Sequence, residues 1–412
     1  MGYLRQQEIR VTVRPVVWVG IDAGKAAHHA AVVDEQGRLC WSQKVPNDQA
    51  AIEQLVARAA ATATVVRWAV DLTGSAAALL LAVLITAGQQ VGHVPGRAVN
   101  RMAGMFRGEG KTDAKDARMI AQTARMCPDL AMVTMREELV TELTRLTAHR
   151  ADLMADWVRG VNRLRDLLTS VFPALERAFD YSTRSALILV SGCQAPGAIR
   201  EAGPGRLSRF LLESGAPSRK VAEMAAKAMA AAATQTVRLP GEASAAVLVA
   251  GMARQLPELD RQIKDTTRLI TGRFRGHPQA PVIESMPGMG PVLGAEFLAA
   301  TGGSLAAFAT SGHLAAHAGL VPVPEDSGQI TGNLRRPQRY NRRLRHVFSM
   351  AAFSSITATG PSRTFYQRKR GERLIHTQAL LALARRLADV PWAPLRDDRL
   401  FTTAPPPAAQ AA

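Results

Sequence analysis

Two aspartates three residues apart, Asp113 and Asp116, lie in the stretch Gly110-Lys111-Thr112-Asp113-Ala114-Lys115-Asp116-Ala117-Arg118. Thr112 suits the N-cap of a helix running through the Ala- and Met-rich segment to Met126. A three-residue step in that helix puts both carboxylates on one face. Neighbouring carboxylates repel, a divalent cation removes the repulsion, and an all-oxygen donor set suits magnesium. Taken alone, the pair also reads as a solvated face neutralised by Lys111, Lys115 and Arg118. Two further acids weigh against that reading. Asp22 ends the apolar run Val16-Val17-Trp18-Val19-Gly20-Ile21, and Asp71 ends the run Val65 to Val70, so each stands at the rim of a sheet. Ser327, in Glu325-Asp326-Ser327-Gly328, is by itself a loop residue. A serine nucleophile needs an accessible hydroxyl, cations to hold the attacked phosphate and a means of activation, and an arginine-rich segment begins nearby at Arg335.

The elements that must position the acids follow from periodicity. Ala30 to Val33 and Leu39 to Val45 read as strands joined by the turn Asp34-Glu35-Gln36-Gly37, which makes a meander with the first run. Ile52 to Ala61 has helical spacing, Val65 to Val70 is a strand, Ser75 caps a helix to Ala87, and Val91 to Val94 is a short strand leading through Pro95-Gly96 to the Asp113/Asp116 helix. In a twisted mixed sheet of this order the first and fourth strands are neighbours. Asp22 and Asp71 then share a rim, and the last helix lays its carboxylates over both. This order resembles the RNase H-like fold, and the resemblance implies four carboxylates holding two magnesium ions. Four negative charges against four positive ones leave the cluster near neutral, and a phosphodiester can bridge the ions. His28 and His29 are adjacent on a strand and point to opposite faces, so at most one could look toward the acids, and both are read as bystanders. His313 and His317 lack a third ligand and are read as helix surface or core.

The remaining composition bounds the partners. At 412 residues, 47% hydrophobic and 21% charged, the chain is long enough for two or three globular domains. A net charge of +17 and a pI near 10.8 point to a polyanion, most simply nucleic acid. Cys40, Cys127 and Cys193 lie far apart with no CxxC pair, which supports neither a zinc ribbon nor a disulfide framework and fits a reducing cytoplasm. The apolar stretch Ala76 to Ala87 is too short to span a bilayer, and Met1 to Arg14 has no signal-peptide core, so a membrane partner is not expected.

Beyond Pro128 the pattern turns helical. Leu139, Leu143, Leu146, Leu153, Trp157, Val161, Leu164, Leu168 and Val171 step mostly by threes and fours, with interruptions at Arg150 and from Trp157 to Val161, and the spacing predicts a coiled-coil helix ended by Pro173. Leu256, Leu259, Ile263, Ile270 and Phe274 repeat the pattern. The two helices could form an intramolecular hairpin or a subunit seam. Met286-Pro287-Gly288-Met289-Gly290-Pro291 before the helix Val292 to Ala300 reads as a helix-hairpin-helix turn, with Gly288 and Gly290 offering backbone N–H groups to phosphate. From Ser327 to Gly371 no acid occurs, while Arg335, Arg336, Arg339, Arg342, Arg343 and Arg345 crowd one segment, with Tyr340, Phe348 and Phe353 interleaved.

Gly-Ile-Asp22, Asp71-Leu-Thr-Gly, Lys-Thr-Asp113-Ala-Lys-Asp116-Ala, Met-Pro-Gly-Met-Gly-Pro and Asp-Ser327-Gly before the arginines resemble, in that order, the DEDD transposases of bacterial insertion sequences, also described as bridge-RNA-guided recombinases. The resemblance covers Val16 to about Arg370. It implies an α/β, RuvC-like amino-terminal domain at 15–127 after a flexible extension at 1–14. A helical, coiled-coil middle at 128–280 and a mostly helical transposase domain at 281–388 follow, and the Pro- and Ala-rich composition beyond reads as a disordered tail at 389–412. The resemblance implies further that Asp22, Asp71, Asp113 and Asp116 bind Mg2+ and that Ser327 forms a transient phosphoserine link to DNA. Lys111, Lys115, Gly288, Gly290 and the arginines would grip nucleic acid. The implied partners are double-stranded DNA, a structured guide RNA and further copies of the chain, as dimer or tetramer. One departure is that the family usually carries glutamate where Asp71 stands, an arm longer by one methylene. The alternative is a RuvC-like nuclease that hydrolyses branched DNA with metal-activated water and forms no covalent intermediate.

Overall fold

The computed structural model describes residues 15–104, 112–135, 137–327 and 331–402; the expected extension at 1–14, Lys111 and the residues from 403 onward lie outside them. The chain divides into two compact units, Met1–Met135 and Arg136–Ala412.

The first unit is built on a six-stranded sheet of β1 (Val16–Asp22), β2 (Ala27–Val33), β3 (Leu39–Pro46), β4 (Val65–Val70), β5 (Val91–His93) and β6 (Ala131–Met132), in the order β3-β2-β1-β4-β5-β6. β1 to β3 form an antiparallel meander, β4 lies parallel to β1, β5 parallel to β4, and β6 antiparallel to β5. This mixed topology is consistent with an RNase H-like fold. The helices are α1 (Gln49–Thr62), α2 (Ala78–Thr86, entered through a 3-10 turn at Ser75–Ala77), α3 (Gly96–Ala103) and α4 (Asp113–Met126). Side chains alternate across each strand, so one face of the sheet buries Val17, Val19, Ile21, Val32 and Val45 with Ile52, Leu55, Leu80 and Leu84 of α1 and α2. The other face buries Ala69 with Val99, Met119 and Ile120 of α3 and α4. Helix α3 and strand β6 go beyond the sequence expectation, each being too short to show a period of its own.

Gly20 sets how α4 lies. A Cβ added there would sit 2.2 Å from the Ala117 carbonyl oxygen and 2.2 Å from the Ala121 nitrogen, so only glycine lets the helix backbone rest directly on β1. The far end of α4 is pinned to the β2–β3 turn, where Gln122 Nε2 donates to the Gly37 carbonyl at 2.5 Å and an Arg125 Nη1 donates to that of Glu35 at 3.0 Å. That turn lies at the N-terminal end of β1, since Trp18 pairs with Val33. Helix α4 therefore runs antiparallel to β1 and brings its N-terminus to the end where β1 finishes.

In the second unit α5 (Glu138–Val171) and α10 (Glu242–Arg275) pair within the chain. Arg150 Nε donates to Thr267 Oγ1 at 2.9 Å, and Arg273 lies 3.4 Å from Glu142. At Gly160, inside the interruption of the heptads, the missing Cβ makes room for Leu256, whose Cδ2 would lie 2.8 Å from it. The pairs 142 with 273, 150 with 267 and 160 with 256 run in opposite senses, so this is an antiparallel hairpin, one of the two pairings the sequence left open. Between its arms α6 (Pro173–Ala178), α7 (Arg184–Gly192), α8 (Pro196–Glu213) and α9 (Ser218–Ala233) close a core around Leu164, Leu168, Phe172 and Tyr181. The opposite end shares a core with the carboxy-terminal elements: α11 (Ala280–Glu284), α12 (Pro291–Thr301), α13 (Ser311–His317), the ribbon β7 (Val323–Pro324) and β8 (Leu334–Arg335), α14 (Arg342–Ser355), α15 (Pro361–Gly371), α16 (His376–Leu387) and α17 (Trp392–Arg396). Leu143, Ile270 and Phe274 of the hairpin meet Phe297 of α12 and Phe348 of α14 there, the last two edge to face with centroids 6.2 Å apart.

The disordered tail expected from 389 is corrected as far as Thr402. Leu395 of α17 is buried in this core, and the Phe401 N–H donates to Ser285 Oγ at 2.8 Å. Apolar Trp392, Leu395 and Phe401 give that segment something to bury, which a Pro- and Ala-rich composition obscures. No helix among the described residues is long and apolar enough to cross a membrane.

Candidate active site

Four acids come to one end of the first unit's sheet. Ile21 of β1 and Val70 of β4 are parallel neighbours, and Asp22 and Asp71 follow them on strands about 4.8 Å apart. Gly20 faces α4, so Asp22, two residues on, shares that face. Asp71 reaches the same place, because its carboxylate feels the backbone N–H of Ala23 and the charge of Asp116. Asp113 and Asp116 lie in the first turn of α4, above the end of β1. That turn is fixed by Thr112, whose Oγ1 accepts the Lys115 N–H at 3.2 Å.

Burial pushes the Asp71 carboxyl above its ordinary range. Hydrogen bonds from its own N–H and that of Ala23, with the nearby His93 imidazole, pull it down, and Asp116 pushes it up again. Its Oδ1 is buried with no hydrogen-bond partner. A carboxylate oxygen without a donor, beside a second carboxylate, is costly unless something positive meets it. Asp116 and Asp22 are half-buried and Asp113 is exposed. The four acids share one end of the sheet without closing on a point: among the described residues no three His, Cys, Asp or Glu side chains converge as a ready-made metal site.

The second unit presents its own set. Ser327 is exposed on the β7–β8 ribbon. The Glu325 N–H donates to the Asn333 carbonyl at 2.8 Å, the Asn333 N–H donates to Asp326 Oδ1 at 3.2 Å, and Arg335 lies 3.5 Å from Glu325. Arg335, Arg336, Arg339 and Arg342 are exposed. Two other arginines of the segment are partly engaged in the fold. Arg345 donates to the Gly319 carbonyl at 2.9 Å and stacks on Tyr340 at 4.8 Å, and Arg343 reaches Thr147 Oγ1 at 3.5 Å. The glycines of the Pro-Gly-Met-Gly turn also differ. Gly288, at φ +72°, is pressed so closely on α14 that a Cβ would lie 2.1 Å from the Ala351 carbonyl oxygen. Gly290 caps α12 with open space around it.

Two histidines stand near the acids: His29, which the sequence presents as a bystander, and His93, which no sequence signal marks. His29 is the direct register partner of Asp22, hence on the same face, and His93 Nε2 lies 3.2 Å from the Asp71 carbonyl oxygen. Alternation restricts His28 and His29 to one inward ring, but only the register says which. His28 faces the other way, buried against Asn47 at 3.1 Å, with burial lowering its pKa.

An α/β domain of this topology with acids at its strand ends is consistent with the RNase H-like class of polynucleotide-processing enzymes. Two family models match the chain: one for DEDD transposases over residues 19–173, and one described as transposase of the IS116/IS110/IS902 family over residues 280–367. The "insertion element IS116 uncharacterized 44.8 kDa protein" of Streptomyces clavuligerus is 56% identical over 394 residues, covering 95% of this chain and 97% of the relative. The IS900 counterpart of Mycobacterium paratuberculosis is 48% identical, covering 95% and 99%. The IS110 counterpart of Streptomyces coelicolor is 35% identical, covering 95% and 96%. The chain belongs to the IS116/IS110/IS902 family of insertion-element transposases. Membership implies an enzyme that cuts and rejoins DNA, and the DEDD type suggests a divalent metal.

Proposed function

We propose that this transposase cuts and exchanges DNA strands using Mg2+ held by Asp22, Asp71, Asp113 and Asp116, with Ser327 as nucleophile. The observation that carries the metal assignment is Asp71 Oδ1, buried, without a donor and beside Asp116. The all-oxygen donor set fits a hard cation, and mutually repelling carboxylates close together only around positive charge. Mg2+ so held supplies Lewis-acid stabilisation of charge building on the phosphate oxygens.

The chain's own residues do the rest. Ser327 Oγ attacks phosphorus, an Oγ–P bond forms as the bond from phosphorus to a deoxyribose oxygen breaks, the serine proton is lost, and the departing oxygen takes up a proton. The hydroxyl of an incoming strand reverses the step, so the phosphodiester energy is conserved and no nucleotide cofactor is required. The exposed Arg335, Arg336, Arg339 and Arg342 neutralise backbone phosphates, and the solvent-exposed Gly290 leaves the N-terminus of α12 open to one more. A structured guide RNA and assembly of several copies belong to the same reading. The RNA is matched to the chain's net charge of +17. Recombination of an element end into a target plasmid tests the nucleophile: Ser327→Ala abolishes it, and continued joining by that variant refutes the assignment.

A further inference from the structure

The edge of the first unit's sheet beside the acids carries a second chemistry. On the α4 side, consecutive register partners form a row: Lys44 of β3 opposite His29 of β2, and His29 opposite Asp22 of β1. His29 Nε2 and Ser42 Oγ are 2.8 Å apart, so the two side chains are already held together. Ser42 and Lys44 are exposed and His29 is half-buried. From Asp22 to Lys44 the row spans two strand spacings, about 10 Å. Arg118 lies one helical turn before Gln122, on the side of α4 that meets the β2–β3 turn, and its Nε is buried with no acceptor. Donors and cations thus stand next to the carboxylates.

We infer that His29, Ser42 and Lys44 form a phosphate shelf that seats the DNA strand adjoining the phosphodiester brought to the acids. An imidazole, a hydroxyl and an ammonium grouped on one face of the sheet can meet non-bridging phosphate oxygens and do not read the base. The shelf rests on the acid reading for its orientation, because it gives the bound strand a direction along the sheet end, from β3 toward β4. Lys44 stands on an edge strand, where a lysine also serves to block strand pairing. Occupancy by DNA separates the two roles.

Lysine footprinting on the full-length protein tests this, with a short single-stranded oligodeoxynucleotide as the probe and mass spectrometry of acetylated peptides as the readout. The oligonucleotide slows acetylation of Lys44 at least several-fold, and His29→Ala and Ser42→Ala each lessen that protection at the same oligonucleotide concentration. Lys44 acetylated at an unchanged rate under saturating oligonucleotide overturns the shelf. Thermal stabilisation by Mg2+ is recorded alongside, for the wild type and for Asp71→Asn. Protection of Lys44 without any Mg2+ stabilisation leaves the shelf standing and removes the metal reading. Mg2+ stabilisation without protection does the reverse.

Discussion

The Asp71 carboxyl is held above its ordinary value chiefly by burial. A folded carboxyl that keeps its proton to higher pH than the unfolded one binds more protons in that window. Its stabilising effect is therefore complete below the ordinary carboxylate range and is lost as pH rises through the shifted value. Thermal unfolding in EDTA is expected to show stability declining over that rise, with the decline flattened in Asp71→Asn. The same variant is expected to lower Mg2+-dependent strand cutting on the order of 100- to 1,000-fold, measured on a labelled element end, because one arm of the charge-stabilising set is gone. The two apolar, β-prone runs made Asp22 and Asp71 legible in the sequence, as the acids that close them. That Asp71 Oδ1 would lack a donor was not legible, because desolvation depends on what the fold stacks above a residue.

At the scale of elements, the seat of α4 on β1 decides whether the acids meet. Gly20→Val is expected to place carbon atoms against the backbone of Ala117 and Ala121, lift α4 and cost about 1–3 kcal/mol of stability, with loss of Mg2+ stabilisation in the same melt. Thr112→Ala, which removes the cap below Asp113 and Asp116, is expected to cost about 1 kcal/mol and to weaken Mg2+ binding while leaving the sheet intact by circular dichroism. The cap and the length of α4 could be read from Thr112 and the run to Met126. The direction of α4 could not, because it depends on Gln122 and Arg125 finding the β2–β3 turn, more than 80 residues earlier in the chain. The same limit explains His29. Its strand was readable, but its place opposite Asp22 is a matter of register, fixed by pairing across a turn.

At the scale of the whole molecule, the positive charge divides by role. Arg335, Arg336, Arg339 and Arg342 are exposed, so replacing any one with alanine is expected to flatten the salt dependence of duplex binding by about 0.9 in log–log slope. Arg345→Ala is expected to leave that slope nearly unchanged and to lower the melting temperature, because its guanidinium holds the Gly319 carbonyl and the Tyr340 ring. Charge density along the sequence marks the segment as a unit and cannot separate its members. The long apolar repeats likewise announced two helices, while the choice between an internal hairpin and a subunit seam rested on Arg150 meeting Thr267 and Gly160 admitting Leu256.

A metal-holding acid set and a serine nucleophile would leave one chemical trace in common, a protein–DNA ester formed only with Mg2+. Full-length protein is incubated with Mg2+ and an element-end DNA, denatured, digested and analysed by mass spectrometry for a nucleotide-bearing peptide containing Ser327. A covalent adduct on Ser327 is expected, and it is absent with Asp71→Asn or EDTA. Efficient strand cutting by the wild type with no protein-linked DNA would contradict it and favour hydrolysis by water.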